Sequence, residues 1–197
     1  MSITVEQVKE LRNATAAPVL DCKKALQNSD GDFELAVDWL RQKGISTAAT
    51  KAGREAHEGV IDAYIHHGNR VGVIVEVNCE TDFVARSEEF RVLVHDILMH
   101  IAMANPMCVD VEDIPADVLN REKEIFREKA LQEGKPEHIA EKIVDGRLEK
   151  YYQQVCLLRQ PFIKDEELSI QDIVKRAIAK MGENIIVHRF SRFELGK

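Results

Sequence analysis

No stretch of this sequence is apolar for long enough to cross a membrane, and the opening Met1-Ser2-Ile3-Thr4-Val5-Glu6 has neither a basic start nor an apolar core. The expectation is a protein that stays in the compartment where it is made, the cytoplasm, with no membrane partner. Positive charge is also in short supply: 27 Lys and Arg against 34 Asp and Glu leave a net charge of −7. A protein that tracks phosphates carries a basic surface, so nucleic acid is not expected as a direct ligand. Cysteine is sparse. Cys22, Cys79, Cys108 and Cys156 form no C-x-x-C pair and no arrangement of zinc spacing with histidine, which favours buried, reduced thiols over a metal site. Phosphate-cradling loops are missing as well. Neither G-x-x-x-x-G-K nor G-x-G-x-x-G occurs, so nothing suggests that this chain itself holds a nucleotide, and no cofactor is expected.

What is present is the balance of a globular chain, 45% hydrophobic beside 31% charged over 197 residues. That length holds one ordinary core and a small module. Residues 1–50 read as three short helices. Thr4-Val5-Glu6-Gln7 has the form of a capping box, and Val5, Val8 and Leu11 share a face behind it. Pro18 suits the first turn of a second helix with Val19, Cys22 and Leu26 as its apolar positions. Asp30-Gly31-Asp32 introduces a third, with Phe33, Ala36, Val37 and Leu40 at helical spacing, which Gly44 is expected to end. Leu20 and Trp39 either complete this small core or form an exposed seam for a partner. Residues 51–58 read as a linker, within a polar stretch from Ile45 that has no apolar stripe.

A second domain is expected over 59–197. Ile61, Ala63 and Ile65 alternate, His67-Gly68-Asn69-Arg70 supplies a turn, and Val71 to Cys79 returns with Val71, Val73, Val75, Val77 and Cys79 on one face. A helix with Phe90, Leu93, Val94, Ile97, Leu98 and Ile101 should cover the hairpin. Pro106 breaks the chain, Ile114-Pro115 opens a helix that runs to Gly134-Lys135-Pro136, and another spans about 137–158 with Ile139, Ile143, Leu148, Tyr152 and Val155 inward. The last helix carries Ile170, Ile173, Val174, Ala177, Ile178 and Met181, and residues 184–193 make a third strand. The fold class is therefore α+β: a three-helix module, then a small antiparallel three-stranded sheet covered by helices.

The chemistry concentrates at Asn78-Cys79-Glu80-Thr81-Asp82-Phe83-Val84-Ala85-Arg86, where a strand gives way to a helix start. Phe83 is either a core residue that caps the sheet or an interface anchor for a partner's pocket. A cysteine hydrolase would need Cys79 with His66 and Asp82, yet there is no nucleophile elbow or oxyanion loop, so no catalytic residue is assigned. His66 and His67 are adjacent, and neighbours on a strand point to opposite faces, which is poor geometry for a metal.

The run Cys79-Glu80-Thr81-Asp82-Phe83-Val84-Ala85 resembles the signature of the bacterial elongation factor Ts family. The resemblance continues through Leu11-Arg12-Asn13-Ala14-Thr15-Ala16-Ala17, Asp21-Cys22-Lys23-Lys24-Ala25-Leu26, Tyr64-Ile65-His66-His67, Gly134-Lys135-Pro136, Gln160-Pro161-Phe162-Ile163-Lys164-Asp165 and Arg192-Phe193-Glu194-Leu195-Gly196. It implies a ubiquitin-associated-like (UBA-like) fold for the first module. It also implies a guanine-nucleotide exchange factor for elongation factor Tu, a non-enzyme. Thr81, Asp82, Phe83 and Val84 would be the segment that dislodges Mg²⁺ from the partner, with Phe83 as wedge and Asp82 acting electrostatically beside it. Having one hairpin-plus-helix unit and no sustained heptads, the chain resembles the short form without the coiled-coil insertion, which suggests a homodimer. Arg159 stands where the family usually has an acid, so no contact is transferred to it. An adaptor acting through the UBA-like module alone is the alternative, and it leaves the larger domain unexplained.

Overall fold

The computed structural model describes residues 3–15 and 17–197; Met1, Ser2 and Ala16, which the readings above include, lie outside them. Thr4 and Gln7 form the expected box. The Thr4 N–H donates to Gln7 Oε1 at 2.9 Å and the Gln7 N–H to Thr4 Oγ1 at 3.2 Å, opening α1, Val5–Thr15. Pro18 precedes α2, Val19–Asn28, and its carbonyl accepts the N–H groups of Asp21 and Cys22. Asp32 caps α3, Phe33–Lys51, by accepting the Leu35 N–H at 2.9 Å. Leu11, Cys22, Ala25, Leu26 and Ala36 are the buried centre of this module, with Val8, Val37, Trp39 and Leu40 packed around them. Val5 is exposed despite its helical spacing. Trp39 joins the core with Lys43 over its ring, whereas Leu20 is 72% exposed.

Gly44 does not end α3. The helix continues to Lys51 through Ile45-Ser46-Thr47, residues of only middling helix propensity, with Ala48 buried on the extension. A methyl group on Gly44 would stand 3.7 Å from Ala179 Cβ, so the glycine marks a close helix approach.

The chain forms two compact units. One comprises Met1–Val60, Val77–Leu93 and Asp172–Ile186; the other comprises Ile61–Glu76, Val94–Gln171 and Val187–Lys197. Strands β1, Glu58–Ile65, and β2, Val71–Cys79, form the expected hairpin, with positive φ at Gly68 and Asn69 in the turn. β2 is followed by α4, Asp82–Arg86, and α5, Glu88–Ala104. Next come α6, Ala116–Gln132, and α7, Glu137–Val155, then a two-stranded hairpin of β3, Pro161–Phe162, and β4, Asp165–Ser169. α8, Ile170–Met181, and β5, Ile185–Glu194, complete the chain. The antiparallel three-stranded sheet has the order β1-β2-β5. None of the helices is long and apolar enough to cross a membrane among the described residues.

Val73, Val75, Val77 and Cys79 are buried as their alternation requires. Ile61, Ala63 and Ile65 are not: β1 turns Asp62 and Tyr64 inward, and the Tyr64 ring meets His95 of α5 edge-on at 5.7 Å. The apolar stripe of β1 therefore lies on the outer face, with Ile74 of β2. α6 and α7 pack side by side, Phe126 against Tyr151 and Arg127 paired with Glu141 at 2.6 Å. Ala130, Ala140, Val144 and Leu148 are buried there, while Ile139 is 40% exposed. At the start of α7 the buried positions are Ala140 and Val144, each one residue on from the expected Ile139 and Ile143, whereas Leu148 is buried as expected and Tyr152 and Val155 pack against the cluster of Cys108, Ile114 and Cys156.

Candidate functional site

Inside the first unit, β2 ends at Cys79 and the chain turns through Glu80 and Thr81 into α4, which is only five residues long. Two acids tie this turn to the start of β5. Glu183 accepts the Thr81 N–H at 3.0 Å on Oε2 and the Thr81 hydroxyl at 2.7 Å on Oε1. Glu80 Oε1 accepts the Asn184 N–H at 2.6 Å, and its other oxygen accepts from Arg54 Nη1 at 3.3 Å. Those bonds, the one from Asn184 above all, hold the Glu80 carboxyl below its ordinary range. The Asn184 side chain, in turn, donates to the Arg54 carbonyl at 2.8 Å.

Thr81 also caps α4, its hydroxyl accepting the Val84 N–H at 3.4 Å. The four residues singled out in the sequence thus stand on one turn. Phe83 points into solvent, 84% exposed, which removes the core reading left open above. Asp82 pairs with Arg86 one helical turn on, at 3.1 Å. Val84 is half-buried and Ala85 buried, so the helix turns its small residue inward and its large aromatic outward. An apolar side chain of this size left bare by the fold is what an interface anchor requires.

Cys79 is no nucleophile. It is buried, its thiol lies 3.2 Å from the Thr81 carbonyl, and burial, reinforced by the Glu183 charge, pushes its pKa up to about 11. All four cysteines are buried and free. His66 and His67 depart from the opposite-face expectation. His66 falls past the end of β1, where strand alternation no longer applies, and the two rings lie 4.1 Å apart. Tyr64 Oη is 3.1 Å from His66 Nδ1. No group of three or more His, Cys, Asp or Glu side chains able to hold a metal occurs among the described residues. Arg159 donates to Asp110 at 2.9 Å, a local ion pair within the second unit.

The residues that sequence reading missed are Glu183, Asn184 and Arg54. Each is distant in sequence from the turn it supports, and nothing in a polar, non-periodic context marks such a partner.

The family model described as "Elongation factor TS" matches residues 45–197. Elongation factor Ts of Moorella thermoacetica is 55% identical over 195 residues, spanning 99% of this chain and 96% of the relative. Elongation factor Ts of Caldanaerobacter subterraneus is also 55% identical, over 99% of this chain and 98% of the relative. That of Oleidesulfovibrio alaskensis is 56% identical with the same two coverages. With a family model over most of its length and relatives of this identity along nearly all of it, the chain belongs to the elongation factor Ts family.

Proposed function

We propose that this translation elongation factor is a guanine-nucleotide exchange factor: it binds elongation factor Tu with GDP and promotes GDP release, after which GTP replaces it. The observation that carries the reading is Phe83, held 84% exposed on a turn that the surrounding hydrogen bonds fix. A P-loop GTPase holds its nucleotide through Mg²⁺ and phosphate-binding backbone, so a wedge that disturbs either speeds release without covalent chemistry. Phe83 is the wedge, Thr81 and Val84 shape its base, and Asp82 brings negative charge toward the region of the partner's Mg²⁺. Exchange also demands that the factor bind nucleotide-free partner more tightly than nucleotide-bound partner, and the coupling is reciprocal.

Residues 1–50 act as a UBA-like docking module and 51–58 as its connection to the exchange domain, 59–197. Leu20, 72% exposed on α2, supports docking through this module. The active species is a homodimer, for which the outer sheet face is the support: Ile61, Ile65, Ile74 and Phe193 are 69%, 61%, 47% and 67% exposed. Such a patch invites a self-complementary contact between two copies.

Release of fluorescently labelled GDP from elongation factor Tu tests the exchange reading. Wild-type protein should accelerate it at catalytic concentrations. A folded protein that binds this partner and leaves GDP release at the intrinsic rate would leave only the adaptor role.

A further inference from the structure

Phe83 has little packing to hold it, and α4 is too short to be stable on its own, since helix formation needs many propagating bonds to offset its nucleus. What orients the side chain is therefore the backbone of the turn, and what orients that backbone is Thr81. The cap from Thr81 to Val84 is long, 3.4 Å, and a hydroxyl has one proton and a free rotor. Glu183 removes that freedom. Its Oε1 takes the hydroxyl proton at 2.7 Å, which leaves the oxygen lone pairs for the Val84 N–H, and its Oε2 takes the Thr81 backbone N–H at 3.0 Å. Gly182, at φ +77°, ends α8 with its N–H on the Ile178 carbonyl at 2.8 Å and swings the next residue toward the turn.

We propose that Glu183 is a positioning residue for nucleotide exchange: it fixes Thr81 and so sets the direction in which Phe83 leaves the molecule. This rests on the exchange reading of Thr81–Val84. Glu183 can be separated from the fold because a second, reciprocal contact survives its loss: Glu80 still accepts the Asn184 N–H at 2.6 Å and still pairs with Arg54. Removing Glu183 frees Thr81 while the two segments stay joined. The bonds lost are charge-assisted, the stronger class of hydrogen bond.

The test is stopped-flow release of labelled GDP from elongation factor Tu over a range of concentrations of full-length wild type, Glu183→Ala, Glu183→Gln, Phe83→Ala and Phe83→Ala/Glu183→Ala, each with a melting curve. Glu183→Ala is expected to lower the maximal release rate about tenfold, with the half-saturating concentration changed less than about twofold. Glu183→Gln, which keeps the length and one accepting oxygen, should lose only about threefold. The double variant should be no slower than Phe83→Ala, because Glu183 acts through Phe83. A role confined to stability would instead lower the melting temperature and add to the Phe83 effect. If Glu183→Ala does not fold, Glu183→Gln decides by its maximal rate. Full-rate exchange by folded Glu183→Ala beside a slow Phe83→Ala overturns the positioning role alone. Full-rate exchange by Phe83→Ala overturns the exchange reading of the segment and the proposal with it.

Discussion

Phe83 and Phe90 are seven residues apart, and each stands just beyond a hydroxyl cap. Thr81 Oγ1 accepts the Val84 N–H, and Ser87 Oγ accepts the Phe90 N–H at 3.3 Å. Yet Phe83 is 84% exposed and Phe90 is 0% exposed. The difference lies in the length of helix behind each cap. α4 stops after five residues and turns its aromatic outward, whereas α5 runs for 17 with Phe90, Val94, Ile97, Leu98 and Ile101 on one buried face. Two identical side chains at similar local signals thus take opposite tasks. Phe90 belongs to the cohesion of the fold, and Phe83 is held in spite of it.

Truncating each aromatic separates the two roles. Phe90→Ala should cost about 3 to 5 kcal/mol in urea unfolding, the loss of transfer energy plus a cavity. Phe83→Ala should cost less than about 0.5 kcal/mol, as surface substitutions do. It should nonetheless slow GDP release about thirtyfold, equivalent to roughly 2 kcal/mol of anchoring energy. Comparable destabilisation by the two variants would show that Phe83 packs in solution and that the contrast between them is not real.

The hairpin offers the same contrast on one strand. Val73, Val75 and Val77 are at most 1% exposed, while Ile74 between them is 47% exposed. Ile74→Asp should leave the melting temperature within a few degrees and convert a dimer to a monomer by sedimentation at micromolar concentration, because a charge facing its own copy across an apolar contact is desolvated and repelled. A wild-type protein that sediments as a monomer in a fully active complex would remove the dimer and leave exchange standing.

Most of the architecture was legible because it rests on local rules. The capping box at Thr4 and Gln7, the Asp32 cap, the hairpin turn and the stripe of α8 are each set within a few residues. The readings failed where a distant packing partner decided. α3 passes through Gly44, which faces Ala179 far along the chain, and α7 buries Ala140 and Val144 where Ile139 and Ile143 were on offer. Which face of β1 is inward was hidden because Ile61, Ala63 and Ile65 read as a core stripe, while the inward Tyr64 is matched to His95 far along the chain. β3 escaped notice because two residues beginning with proline carry no periodicity, and β4 because Asp165-Glu166-Glu167 does not alternate. At the site, the motif marked Thr81 to Val84, but the exposure of Phe83 and the Glu183 support are properties of the assembled turn.

The helix that carries Phe90 also holds a buried polar group. His100 of α5 is 0% exposed. Gln160 donates its amide to the Gln154 carbonyl at 2.7 Å, so its oxygen, 2.9 Å from His100 Nε2, accepts a hydrogen bond from that nitrogen. The His100 Nδ1 is buried with no hydrogen-bond partner among the described residues. Burial lowers the pKa of His100, and the Gln160 bond opposes that only in part. Since the folded pKa lies below the unfolded value of about 6.5, the unfolded chain takes up this proton first. The stability His100 contributes is complete above about pH 6.5 and is lost as pH falls toward the depressed value, by at most about 1.4 kcal/mol per pH unit. Urea unfolding from pH 7 to 5 should therefore show a decline that His100→Gln reduces, although the variant is weaker at pH 7 for want of the ring. Parallel pH profiles for the two proteins would mean that His100 opens to water and takes up its proton in the folded state.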